Sequence, residues 1–144
     1  MPVETTTTAQ PDINQVLRIN ELNLTSEMSN CAAWFYYYAA LSIDAEDSAD
    51  AATLAIETYE QQLAAEYKSQ PAVYGEKLAQ PAIQRLFRAD ARWQALKEQE
   101  SKLKVNAKIL DKAAKAIEMK SRMLMSINKR DMYKKGIMPT SEDN

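Results

Sequence analysis

Apolar residues recur at alternating intervals of three and four along two long stretches of the chain. The first stretch carries Met28, Cys31, Phe35, Tyr38, Ser42, Ala45, Ala49, Ala52, Ile56, Tyr59 and Leu63. The second carries Ala82, Leu86, Ala89, Trp93, Leu96, Glu100, Leu103, Ala107, Leu110, Ala114, Ile117, Ser121 and Leu124. Such a period lays one seam along each of two long helices. No Gly or Pro interrupts either stretch, so helices are predicted over about residues 26–68 and 81–135. Pro71, Gly75 and Pro81 mark a reversal loop over 69–80, and Gly136 with Pro139 ends the second helix. The weakest point of the first helix is predicted between Ser42 and Ser48, where Asp and Ser residues lower helix propensity.

Folded back as an antiparallel hairpin, the two seams put large residues against small ones. Phe35 would face Ala114, Ile56 would face Trp93, and Ala45 and Ala52 would lie near Leu103 and Leu96. Two polar residues are the weak places of the second seam, Glu100 opposite Ala49 and Ser121 opposite Met28. A carboxylate there must turn outward or find a base such as Lys104, four residues on.

The ends look different. Residues 1–11 form a Thr-rich tail predicted to be disordered, and 137–144 a short acidic tail. Asp12 can cap a short helical segment bearing Val16, Leu17 and Ile19. That segment is too short to be stable alone and must dock on the helices or on a neighbouring subunit.

Composition narrows the class. The chain has 144 residues, 46% of them apolar, but only two Gly and five Pro, which favours helix and leaves little turn chemistry for a sheet. The expectation is a single all-α domain over 12–136. One Cys and no His remove a disulfide framework and the usual zinc and non-haem iron ligand sets. No metal or other cofactor is expected. The N-terminus lacks the basic start and apolar run of a signal peptide, and no apolar run has the ~20 residues of a membrane span. A soluble, cytoplasmic protein without a membrane partner is therefore expected.

The formal charge of −2 hides a polarity along the chain. Residues 1–80 hold three bases against twelve acids, whereas 81–136 hold fifteen bases against six acids. Lys108, Lys115, Arg122 and Lys129 recur every seven residues beside the second seam, and Arg85, Arg88 and Arg92 cluster near the start of that helix. Lys112, Lys120, Arg130, Lys134 and Lys135 extend the positive zone. Such a row can track the phosphates of a nucleic-acid strand, or else pair with acids of the first helix as a solvated face. Lys68 and Lys77, with Tyr67 and Tyr74, lie at the predicted hairpin tip, an exposed place to present a binding surface.

The run Trp34-Phe35-Tyr36-Tyr37-Tyr38 sweeps more than a full helical turn, so it cannot all face one partner helix. Phe35 and Tyr38 fit the seam. Trp34, Tyr36 and Tyr37 are left for another helix, an oligomer interface or stacking on bases. Nothing resembles a catalytic set: there is no His base and no Gly-rich phosphate loop, and the carboxylates are scattered over helical faces.

The order of these pieces resembles the UvsY-like recombination mediators of tailed phages. The similarity runs over residues 12–136. It rests on NELNLTSEMSNCAAWFYYYAALS (20–42), a turn after EYKSQ (66–70), LFRADARWQALKEQESKLK (86–104), ILDKAAKAIEMKSRMLMSI (109–127) and a terminal YKKG. It implies a helix-rich, non-enzymatic protein that assembles into a homo-oligomeric ring and binds single-stranded DNA. It also implies help to a RecA-type recombinase in displacing the single-strand-binding protein. One departure stands out. The basic LKAR-type segment that such proteins carry late in the first helical region is replaced here by QQLAAEYKS (61–69), where only Lys68 is basic. The DNA contact is therefore assigned by composition to the basic helix or the loop. The alternative from another class is a helical scaffold or chaperone-type oligomer with no nucleic-acid role.

Overall fold

The computed structural model describes residues 11–136. All regular structure among them is helical. Helix α1 spans Ile13–Leu17, a 3-10 turn spans Glu21–Asn23, and α2 spans Leu24–Lys68. Helices α3 (Pro71–Tyr74), α4 (Gln80–Ala89) and α5 (Ala91–Lys134) follow. The long helix α2 packs against the long C-terminal helix α5, as the paired seams predict. The two tails expected from sequence, 1–11 and 137–144, lie outside the described residues apart from Pro11.

Helix α2 is continuous through the predicted weak point. Ser42 is buried, and the Ser48 hydroxyl donates to the Asp44 carbonyl at 3.0 Å, one turn back. The hydroxyl that would otherwise compete with the helix is thus satisfied inside it.

The second predicted helix, 81–135, is not continuous. It breaks at Asp90, whose backbone is extended (φ −78°, ψ 123°). Asp90 Oδ1 accepts the Trp93 amide at 2.8 Å, which makes it the N-cap of α5, and its own amide closes α4 on the Phe87 carbonyl at 3.0 Å. One aspartate therefore ends one helix and begins the next.

That break resets the phase of the seam. On α4 the buried residues are Ile83 and Phe87, not the predicted Ala82, Leu86 and Ala89. Gly75, at φ +96°, closes α3 in a conformation only glycine adopts freely.

Contacts group the described residues into two compact units, one comprising those up to Ala39 and from Asp111 onward, the other Ala40–Leu110. In the first unit Cys31 Sγ lies 3.5 Å from the Ile117 carbonyl, and Ile117 and Leu124 are fully buried. Pro11, α1 and the residues after it pack onto these helices: Val16 is buried and the Tyr38 hydroxyl donates to the Pro11 carbonyl at 3.2 Å. In the second unit Leu63, Tyr67, Ile83 and Phe87 form a core, with Tyr59, Tyr74, Leu78 and Trp93 against it.

Candidate nucleic-acid interface

In the second unit, Glu100 of α5 sits in the seam at only 6% exposure. Thr53 Oγ1 donates to its carboxylate at 2.7 Å, and the ammonium groups of Lys97 and Lys104 lie 3.5 and 3.6 Å away. The Thr53 hydrogen bond, then the two lysines, hold the Glu100 carboxyl below the ordinary carboxylate range despite its burial. Lys104 is the base the sequence nominates for it. Lys97 and Thr53 complete the set.

Asp90 also anchors its joint to α2. The Tyr59 hydroxyl donates to Asp90 Oδ1 at 2.9 Å, and Trp93 Nε1 donates to Glu60 Oε1 at 2.8 Å. Burial first, then this bond to Asp90, raise the Tyr59 pKa and keep its hydroxyl protonated. The Arg92 guanidinium stacks 4.8 Å over the Tyr59 ring, a cation–π contact that commits this arginine to the fold.

Arg85, Arg88 and Arg92 therefore do not form one cluster on one helix. Arg85 and Arg88 are exposed on α4, while Arg92 is stacked on α5. Lys68 and Lys77 are exposed, but the tyrosines predicted to accompany them are not free. Tyr67 is buried, with its ring 4.9 Å from Tyr74 and 6.3 Å from Phe87. At the hairpin tip the two tyrosines pack into the core while Lys68 and Lys77 stay exposed.

The basic row of α5 is exposed throughout, at Lys108 in the second unit and Lys112, Lys115, Arg122 and Lys129 in the first. Two of its members have helical partners: Lys115 pairs with Asp111 at 2.8 Å and Arg122 with Glu118 at 3.0 Å. The Asp111 hydrogen bond raises the Lys115 pKa, so this lysine stays charged. Lys108, Lys112 and Lys129 form no ion pair among the described residues. Beside this row α5 exposes Val105 and Ile109 in the second unit and Met119 and Met123 in the first. In each unit bases and apolar side chains thus lie together on the outward face of its part of α5.

Two cations expected in the positive zone are engaged by groups of the fold, one buried and one still exposed. Lys120 is 7% exposed and enclosed, and Arg130 reaches Glu21 at 3.5 Å and Asp131 at 3.6 Å. Lys120 lies three residues beyond the buried Ile117, less than one turn, and so flanks the seam instead of facing outward.

Of the aromatic run, Tyr38 is buried and Tyr36 is 77% exposed. Trp34 is half-buried and packs edge-on against Tyr37 at 5.8 Å, while Tyr37 packs edge-on against Tyr38 at 5.2 Å. Phe35, expected in the seam, is 41% exposed. The faces left open to a partner are those of Phe35, Tyr36 and, in part, Tyr37.

Among the described residues no group of three or more Cys, Asp or Glu side chains is arranged to hold a metal ion, and no helix is long and apolar enough to cross a membrane. No protein family, curated protein or solved structure matches the chain, so its chemistry is read from its own residues.

Proposed function

We propose that the protein is a non-enzymatic, single-stranded-DNA-binding mediator that works as a homo-oligomer, helping a RecA-type recombinase to displace a single-strand-binding protein. The observation that carries the DNA contact is the outward face of α5 in the first unit, where Lys112, Lys115, Arg122 and Lys129 are all exposed beside Met119 and Met123. Ammonium and guanidinium groups neutralise phosphates and release counterions, while apolar and aromatic side chains such as Tyr36 accept unstacked bases. The recombinase and the displaced protein come from the resemblance of residues 12–136 to UvsY-like mediators.

Self-association is favoured by a second exposed face. On α2 of the second unit, Ile43 and Leu54 are exposed among Asp44, Asp47, Asp50 and Glu57. This acidic, apolar face complements Val105, Ile109, Lys102 and Lys108 of α5 in another copy. Such a contact is head-to-tail and generates a ring where the rotation closes. Many weak phosphate contacts then act together.

The test is titration of a labelled oligo(dT) at two salt concentrations, with the triple variant Lys112→Glu, Lys115→Glu, Arg122→Glu, outside the pairing face, as control. Tight binding at low salt that weakens steeply with salt, lost in the triple variant with the oligomer intact, supports the mediator. The same complementarity of faces favours a second reading, a scaffold whose bases serve only subunit pairing. That reading predicts no DNA binding by the wild type at either salt concentration.

A further inference from the structure

Lys120 is the one base of α5 that is buried, and its three ammonium protons meet three acceptors. They are the Val16 carbonyl at 2.6 Å, the Arg18 carbonyl at 2.9 Å and Glu27 Oε2 at 2.7 Å. The first two are carbonyls at the C-terminal end of α1, and the third belongs to the first turn of α2. A single side chain of α5 thus caps one helix and joins it to another.

The seams show what this segment covers. Cys31 and Tyr38 lie seven residues apart on α2, and Ile117 and Leu124 seven apart on α5, so each pair forms one row on its helix. In the first unit these four are at most 5% exposed. Continuing the same rows into the second unit gives Ala52, Tyr59, Leu96 and Leu103, which are only half-buried, although Ala45 and Leu110 near the boundary are buried. Two helices alone leave such a row partly open. In the first unit the third wall is residues 11–20, because Glu27 lies one turn from Cys31 and Lys120 one turn from Ile117.

We propose that residues 11–20 are a strap, latched by Lys120, that opens locally while α2 and α5 stay folded, baring an apolar cleft at Cys31, Ile117 and Leu124. Its attachment is small. It comprises the bonds to Lys120, the Tyr38–Pro11 bond, the buried Val16 side chain and the half-buried Ile13, Leu17 and Ile19, whereas α1 has only five residues and cannot persist alone. Arg18 and Asn20, on either side of Ile19, are extended and supply the pivot before the 3-10 turn. A weakly attached segment on a long helix pair opens at lower free energy than the pair itself unfolds.

Cys31 is the chain's only thiol, so it reports on the cleft without labels elsewhere. The experiment measures its alkylation rate by N-ethylmaleimide in the full chain under native conditions, with helicity followed by circular dichroism. Wild type, Lys120→Met and Tyr38→Phe are compared. Lys120→Met is expected to label at least tenfold faster than wild type at unchanged helicity, and Tyr38→Phe, which loses only the bond to Pro11, a few-fold faster. Equal rates in wild type and Lys120→Met would overturn the proposal. So would labelling that tracks loss of helical signal, including outright unfolding of Lys120→Met, since the lysine would then hold the helix pair itself.

Discussion

Replacing Thr53 with valine removes one hydroxyl from the buried contact with Glu100 and keeps the shape of the side chain. In the wild type the 2.7 Å contact gives the hydroxyl proton to the carboxylate, and Lys97 and Lys104 lie farther off at 3.5 and 3.6 Å. A hydrogen bond to a charged group contributes about 1.5–3 kcal/mol. With an unfolding entropy of roughly 2.1 cal/mol/K per residue, that loss lowers the melting temperature by about 5–10 °C at neutral pH. The Glu100 carboxyl is held below its ordinary range chiefly by this bond, so the stability it contributes is complete above the unfolded-state pKa. It is lost as pH falls through the folded-state value. Thermal unfolding of wild type and Thr53→Val, followed by circular dichroism at pH 7 and near pH 3, should therefore show a large difference at pH 7 and a smaller one in acid. A difference that is absent at pH 7, or as large in acid, would refute the assignment of Thr53 as the main partner of Glu100.

Asp90→Ala takes the N-cap from α5 and is expected to cost about 1 kcal/mol in urea unfolding, with Asp90→Asn recovering most of it. Phe87→Ala, at a buried site in the α4 core, should destabilise by about 3–5 kcal/mol in the same assay, whereas Leu86→Ala should cost less. Tyr36→Ala should leave stability within about 0.5 kcal/mol, since Tyr36 is 77% exposed, yet weaken oligo(dT) binding at fixed salt. Leu54→Asp, on the outward face of α2, should lower the mass of the assembly in sedimentation without lowering helicity.

The long helices and their antiparallel pairing were legible because the three-four period is a direct image of what each helix buries. Cys31 meets Ile117, Tyr59 meets Asp90, and Thr53 meets Glu100, all within about a turn of the facing positions read from spacing. Asp90 was not legible as a break, because in RADAR an aspartate with no Gly or Pro beside it suits an exposed helix position as well as a cap. The choice is made by Tyr59 and by the α4 core, which are remote in sequence. Missing that break put Ala82, Leu86 and Ala89 in the seam where Ile83 and Phe87 are buried, and left Tyr67 and Tyr74 at an exposed tip. Lys120 was miscounted for a similar reason, since its partners are two backbone carbonyls and a glutamate about a hundred residues upstream. The outward bases Lys108, Lys112, Lys115, Arg122 and Lys129 were legible, because a position opposite the seam is exposed whatever else the fold does.

The carboxylate of Glu100 also carries information about identity of pairing. Two seams of like period can slide past each other by seven residues and still match apolar to apolar. A slide of one such step in either direction would replace Thr53 with Glu46 or Glu60 as the neighbour of Glu100. Two carboxylates would then share a nearly dry contact, with the cost of like charges out of water. Only the native alignment offers the buried anion a hydroxyl, so the seam's one acidic residue tells the two helices where to stop.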